Sequence, residues 1–308
     1  AVCREEVSWG DAGFASSLSA CFLGAMPCKV AGTKEQLQHV ADVLLNGGLT
    51  AFGLTEPQAG SDSAAIATTA TKDGDDYILN GRKCFITNGG IADLYTIFAT
   101  VDKSKGAKGV TAFMVDRNTP GFSVGKKENK MGIRTANTCD LVLEDVRVPA
   151  KNIIGEIGGG FKVAMGTLDR TRPTSGSGAV GVARAAFEHA VEYSKQRVTF
   201  GKPICKNQAI AFMLADMDIQ INAARQLVWA ACKSIDAGIV NSKLASSAKC
   251  FAGDMSVKVA LDAVQVLGGY GYSREYPVEK LLRDAKNFQI LEGTNQIQRK
   301  IISGIILK

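Results

Sequence analysis

The apolar residues of this chain change period twice, and that limits its fold more than any other feature. From Leu49 to about residue 150 they come in short or alternating runs, among them LTAFGLT, KCFITN, LYTIFATV, GVTAFMVD and CDLVLEDVRV. Turn-forming stretches (KDGDD, NGR, NGG, KSKGAKG, RNTPG) separate the runs and leave no room for crossover helices. Strands joined this tightly predict an antiparallel sheet or barrel. They argue against a doubly wound dinucleotide-binding fold, as does the lack of a GxGxxG after a strand.

On either side the spacing is helical. Residues 1–46 read as helices, the last of them capped by Thr33 with Glu35 and Gln36 in its first turn and stopped at Gly47-Gly48. Helical spacing returns from residue 156. Between Gln208 and Gly238 apolar side chains recur every three or four positions: Ile210, Met213, Leu214, Met217, Ile221, Ala224, Val228, Ala231 and Ile235. Segments 179–196, 243–267, 277–290 and 294–307 behave alike, and their short connections favour an antiparallel bundle. Gly158-Gly159-Gly160 lacks nucleotide-loop spacing and reads as a hinge.

Composition narrows the function classes. At ~150 residues per domain, 308 residues suggest about two domains, and 46% apolar with 21% charged residues is ordinary for a globular protein. The net charge of +6 is not clustered, and the longest basic pair, Lys126-Lys127, runs straight into Glu128, so no nucleic-acid partner is expected. No uninterrupted apolar run approaches the ~20 residues of a membrane span. The eight cysteines form no CxxC pair, and His39 and His189 add no zinc spacing, so no metal is expected. Scattered thiols predict a reducing setting, cytoplasmic or mitochondrial-matrix rather than secreted.

Three loops gather small residues beside polar ones. Gly53–Asp62 (GLTEPQAGSD) exposes hydroxyls and N–H groups suited to the polar edge of a cofactor, though alone it reads as a capped turn. Gly268–Tyr272 (GGYGY) permits close approach of a ligand, or merely closes a helix. In Ile290–Gln296 (ILEGTNQ) a glutamate between apolar residues and a helix cap suggests a dry setting for a general base, or a carboxylate that complements the helix dipole.

Taken together, GLTEPQAGSDSAA, QVLGGYGYSREYPVEKLLRDAK and ILEGTNQIQRK resemble the signatures of the acyl-CoA dehydrogenase family. KCFITNG, VPAKNIIG, LDRTRP, QRVTFGKPI and NQAIAFMLADM fall in the matching order. The resemblance implies an α+β multidomain fold: a remnant of an N-terminal helical domain at 1–47, a middle antiparallel β domain at 48–156 and a C-terminal four-helix bundle at 157–308. FAD would lie between sheet and bundle. Family members are longer at the N-terminus, so the first helices are expected to be truncated here.

The resemblance also assigns residues. Leu54, Thr55, Gly60 and Ser61 would line the flavin and pyrophosphate, with Phe85, Ile86 and Thr87 behind the ring. Arg197, Thr199, Phe200, Gln208, Gln265 and Gly269 match positions that hold the FAD of a neighbouring subunit, which implies a homotetramer built as a dimer of dimers. Thr294 and Gln296 would also touch FAD, while Asn295 receives no role. Glu292 would take the α-proton of an acyl-CoA while hydride leaves the β-carbon for flavin N5, its backbone N–H polarising the thioester. Ser61, Asp169, Arg172, Leu291 and Gly293 would meet the substrate. One branch of the family carries its base on a different helix; the corresponding segment here, Asp169-Arg170-Thr171-Arg172-Pro173, has Thr171 and no glutamate, which points to the short- or medium-chain branch. The implied electron acceptor is an electron-transferring flavoprotein. The alternatives are an enoyl-CoA reductase running in reverse, an acyl-CoA oxidase, or a non-catalytic assembly factor.

Overall fold

The computed structural model describes residues 1–308. The chain opens on three helices, α1 (Val2–Gly10), α2 (Ala12–Ala31) and α3 (Lys34–Leu45). The strands follow: β1 (Thr50–Gly53), β2 (Thr69–Asp73), β3 (Asp76–Thr87), β4 (Leu94–Thr100), β5 (Val110–Asp116), β6 (Phe122–Lys127), β7 (Thr138–Pro149) and β8 (Ile153–Ile154). After α4 (Gly160–Gln196) come the short strands β9 (Val198–Thr199) and β10 (Lys202–Pro203). The chain then continues through α5 (Gln208–Asp236), α6 (Ser242–Leu267), α7 (Val278–Asn287) and α8 (Asn295–Ile306). The expected succession of helices, strands and helices is therefore present.

The chain divides into two compact units. The sheet unit comprises Ser17–Asn129 and Thr135–Leu168, and the helical unit comprises Ala1–Ser16, Lys130–Arg134 and Asp169–Lys308.

In the sheet unit the strand order is β6-β7-β3-β2-β4-β5-β8, with β1 beside β4. Neighbours joined by short turns are antiparallel, but β1 runs parallel to β4, and β2 meets β4 in parallel at Thr69 and Thr100. The excursion through β2 and β3 supplies the long connection that a parallel pair needs. Every residue of β4 is buried, which explains why LYTIFATV reads as one apolar run. Tyr95, Ile97, Phe113 and Leu141 fill one core cluster, and Leu94, Phe98, Met114 and Val163 fill another.

The cap of α3 forms as its sequence predicts: Gln36 N donates to Thr33 Oγ1 at 3.3 Å, and Thr33 N donates to Gln36 Oε1 at 3.1 Å. By length and composition α2 would pass for a membrane span. Ser16, Ser17, Ser19 and Lys29 interrupt it, and a third of its apolar window is buried inside the protein. The glycines at 158–160 serve close packing. Gly158 N donates to Thr111 Oγ1 at 2.9 Å, and a Cβ on Gly160 would lie 2.6 Å from Ala112 N, so they seat the start of α4 directly on β5.

In the helical unit, α5 buries Met217, Ile221, Ala224, Val228 and Ala231, the centre of the predicted stripe. Helix α6 buries a face of small residues, including Ala245, Ala248, Ala252 and Ala260, which lets neighbouring backbones approach closely. The buried Glu5 anchors α1 through Arg184 at 3.2 Å and Arg225 at 2.8 Å.

Candidate active site

In the sheet unit, the loop after β1 is organised by a residue pair that sequence reasoning passes over. Lys83 Nζ donates to Glu56 Oε1 at 2.6 Å and to the Leu54 carbonyl at 3.3 Å, and neither charged side chain is more than 1% exposed. Glu56 also accepts from Ala67 N at 2.6 Å, from Thr68 N at 3.0 Å and from the Thr68 hydroxyl. Burial alone would raise the Glu56 carboxyl; the Lys83 charge and these hydrogen bonds outweigh it and hold the group below the usual carboxylate range. Burial pushes the Lys83 ammonium down to about 8, against the pull of Glu56. Cys84 N donates to the Thr55 carbonyl at 2.9 Å, so the carbonyls of Leu54 and Thr55 are both tied to β3.

Phe85 follows at φ +57°, and its ring is 63% exposed. A left-handed backbone at an aromatic residue is costly, about 1–2 kcal/mol, and here it leaves the ring free beside the Leu54–Thr55 loop. Ile86, by contrast, points its side chain into the core, leaving only its backbone for a ligand. Thr87 ends β3, paired with Thr138. Gly60 and Ser61 are exposed, and nothing lies near the place of a Cβ on Gly60. A groove of about 460 Å³ lies beside this loop, lined by residues that include Gln58, Asp62, Ala65, Ile66, Thr100 and Lys103.

In the helical unit, Glu292 and Gly293 adopt consecutive left-handed conformations, φ +53° and +92°, between α7 and α8. The turn is held from all sides. Thr171 Oγ1 donates to Glu292 Oε2 at 2.8 Å. The Glu292 carbonyl accepts from Arg172 Nε at 3.4 Å and Gln298 Nε2 at 3.3 Å. The Gly293 carbonyl accepts from Lys249 Nζ at 2.7 Å and Gln298 Nε2 at 2.9 Å. Thr294 caps α8, its hydroxyl accepting from Ile297 N at 3.2 Å.

Charge gathers on this turn. Arg172 is 3% exposed and donates to Asp169 at 2.8 Å, and Asp169 also accepts from Ser242. Burial lowers the Arg172 guanidinium from its usual value, opposed by Asp169 and Glu292. Burial likewise pushes Lys249 down to about 8 and Arg4 to about 10, each opposed chiefly by Glu292. Glu292 itself is half-buried, so the dry setting suggested by Ile290 and Leu291 is replaced by one dominated by cations and hydrogen-bond donors. Asn295, which had no assigned role, is 2% exposed and joins Lys249 at 2.9 Å to the Cys250 carbonyl at 3.0 Å and Asp254 at 2.8 Å.

The remaining assigned residues of this unit fall elsewhere on it. Arg197 stacks over Tyr270, 5.8 Å from the ring centre, beside Gly269, where a Cβ would meet only open space. Phe200, at φ +51°, is 99% exposed, and Gln208, Gln265 and Gln296 are exposed. Thr199 lies in the β9–β10 hairpin. Tyr193, Tyr270 and Tyr276 pack together and connect α4 to the glycine-rich loop.

The helical unit carries a carboxylate on a strained, donor-rich turn, and the sheet unit carries an exposed aromatic beside an anchored polar loop, features that suit an enzyme on an α+β fold. Residues 51–146 match the model for the acyl-CoA dehydrogenase middle domain, and residues 158–307 match that for the acyl-CoA dehydrogenase C-terminal domain. The short-chain-specific acyl-CoA dehydrogenase of Megasphaera elsdenii is 53% identical over 308 residues, 99% of this chain and 80% of the relative. The structure of butyryl-CoA dehydrogenase from Megasphaera elsdenii superposes with a TM-score of 0.97 at 51% identity, covering 99% of this chain and 80% of that one. A chain from a structure described as the electron transferring flavoprotein of Acidaminococcus fermentans gives a TM-score of 0.97 at 48% identity, covering 99% and 81%. The chain belongs to the acyl-CoA dehydrogenase family, and it is an oxidoreductase.

Proposed function

We propose that this chain dehydrogenates a short- or medium-chain acyl-CoA to the trans-2-enoyl-CoA, with Glu292 as the base for the α-proton. The observation that carries the reading is the Glu292 turn. It presents one carboxylate with a hydroxyl donor at 2.8 Å, on a backbone fixed by four hydrogen bonds from Arg172, Lys249 and Gln298 to two carbonyls. The names of the similar proteins, short-chain-specific and butyryl-CoA dehydrogenase, support the chain-length class.

FAD is the cofactor, and bound here it would supply a hydride acceptor for the β-carbon. The residues present fit it. The exposed Phe85 ring suits one face of a flat conjugated system, and with the Leu54 and Thr55 carbonyls tied back to β3 and Glu56 N and Ala59 N bonded to each other's carbonyls, the loop offers the Thr55 hydroxyl to a polar ring edge. The first turn of α8 behind Thr294 suits a phosphate. The exposed Arg197, Phe200, Gln208, Gln265 and Gly269 support a second contact, to the cofactor of a neighbouring copy in a dimer of dimers.

In this account the chain's own residues do the rest. Glu292 takes the α-proton, and its backbone N–H stabilises negative charge growing on the thioester oxygen. Thr171 orients the carboxylate, and Arg172, held by Asp169, orients the carbonyl behind it. Ser61 and the groove beside it, with apolar Ala65 and Ile66 and cationic Lys103, would hold part of the anionic CoA moiety. The likeness to a chain in an electron-transferring flavoprotein structure supports such a flavoprotein as the electron acceptor. Eight free thiols support a reducing compartment, cytoplasm or mitochondrial matrix.

The test is a visible spectrum of the purified protein, followed by anaerobic titration with butyryl-CoA and octanoyl-CoA. Flavin bands that bleach are expected, with the shorter thioester acting at lower concentration. A protein that stays colourless after incubation with FAD would overturn the proposal.

A further inference from the structure

Lys249 is a charged side chain that the reaction as described does not use, yet it is almost fully buried. It projects from α6 at a position flanked by the buried Ala245, Ala248, Ala252 and Ser256, where a helix of this kind normally carries an apolar or small residue. Burying an ammonium without a carboxylate partner is expensive, and it persists only where its hydrogen bonds are well made. Here they are: Nζ donates to the Gly293 carbonyl at 2.7 Å and to Asn295 Oδ1 at 2.9 Å. Asn295 is fixed in turn by the Cys250 carbonyl at 3.0 Å and by Asp254 at 2.8 Å, and Asp254 pairs with Arg299 at 2.5 Å. The network fastens α6, the start of α8 and the turn between α7 and α8 at one point.

That turn needs fastening. Glu292 stands at φ +53°, a conformation a non-glycine residue adopts only when its surroundings insist, and Gly293 follows at +92°. Released from its donors, Glu292 would relax toward negative φ and swing both its carboxylate and its N–H. A charge-assisted hydrogen bond to the Gly293 carbonyl, one residue from the base, opposes that relaxation more strongly than the neutral amide of Gln298 on the same oxygen.

We propose that Lys249 is a positioning residue for the reaction, holding the left-handed Glu292–Gly293 turn through the Gly293 carbonyl so that the Glu292 carboxylate and backbone N–H converge on one thioester. The inference rests on Glu292 being the base.

The experiment compares Lys249→Met and Lys249→Arg with the wild-type holoenzyme. It measures flavin content, butyryl-CoA turnover, and the long-wavelength absorbance that develops when acetoacetyl-CoA binds as its enolate against the flavin. Enolate formation reports on thioester polarisation, which a loss of general stability would not change in the folded fraction. Lys249→Met is expected to keep its FAD and a KM within about threefold, to lose kcat about 10- to 100-fold, and to lose most of the enolate band, because a hydrogen bond to a charged group is removed. Lys249→Arg, which keeps a cationic donor, should recover part of both. Should Lys249→Met fail to fold, Gln298→Leu, which removes the second donor to the same carbonyl, should show the same pattern at smaller amplitude.

A Lys249→Met enzyme with kcat within threefold of wild type and an intact enolate band overturns the proposal, as does a folded Gln298→Leu enzyme with both unchanged. A wild-type protein that binds FAD but is not bleached by any acyl-CoA overturns the underlying reading of Glu292 instead, so the two failures are distinguishable.

Discussion

Thr171 Oγ1 lies 2.8 Å from Glu292 Oε2 and donates a hydrogen bond to it. The contact joins a residue inside the long α4 to one on the turn before α8, so two separate elements converge on the same carboxylate oxygen. A carboxylate carried at position 171 would therefore reach the space that the Glu292 carboxylate occupies.

This yields a relocation prediction. Glu292→Gly should fold, because glycine relieves the cost of φ +53°, and should lose turnover. Adding Thr171→Glu should restore at least about tenfold over Glu292→Gly alone, since general-base catalysis is worth ~10²–10⁴ and an imperfectly aimed base recovers part of it. Steady-state assay of the double variant with butyryl-CoA decides it; no gain over the single variant would show that position 171 cannot present a base.

The buried Glu56–Lys83 pair gives a pH prediction. The folded-state value of Glu56 is depressed below its ordinary 4.5, so its contribution to stability is present above about that pH and is lost as pH falls through the lower folded value. Thermal unfolding should show Tm falling more steeply below pH 4.5 in wild type than in Glu56→Gln. At pH 7 the variant should be destabilised by about 3–5 kcal/mol, because Lys83 is left buried without its counter-charge. Parallel Tm curves in the two proteins would contradict this.

Gly24 reverses a common expectation. Within an exposed helix, Gly→Ala stabilises by about 1 kcal/mol. Here an added Cβ would sit 2.6 Å from Ala51 N and from Thr50 Oγ1, because α2 lies directly on β1. Gly24→Ala should instead destabilise by about 1–3 kcal/mol, as overpacking does, measured by urea unfolding.

Phe85 separates cofactor binding from folding. It is largely exposed, so Phe85→Ala should leave apoprotein stability within about 0.5 kcal/mol of wild type, as surface substitutions generally do. FAD affinity, read by flavin fluorescence, should fall about tenfold from the lost stacking. An unchanged affinity would remove Phe85 from the cofactor site.

Much of the fold is legible in the sequence because periodicity reports burial directly. The stripe from Met217 to Ala231 and the uniformly apolar β4 both appear in place. The site is less legible. Glu292 stands out through its resemblance to a family motif, not through any local feature that separates it from an ordinary helix-capping glutamate. Lys83 and Lys249 escape notice because a lysine is by default a surface residue, and their partners lie 27 and 46 positions away. The available clue was register. Lys83 stands an even number of positions from Tyr77 and Leu79 on β3 and is buried as they are, and Lys249 falls one helical turn from Ala245 and Ala252. The parallel pairings of β4 and the seating of Gly160 on β5 are hidden in the same way: both depend on segments distant in the chain.

The most direct measurement is the rate at which butyryl-CoA bleaches the flavin of Glu292→Gln under anaerobic conditions. The variant should carry FAD and bind the thioester like wild type, with bleaching slowed by at least about 10³-fold, the upper range for loss of a general base. Bleaching within tenfold of wild type would contradict the assignment of Glu292 as the base.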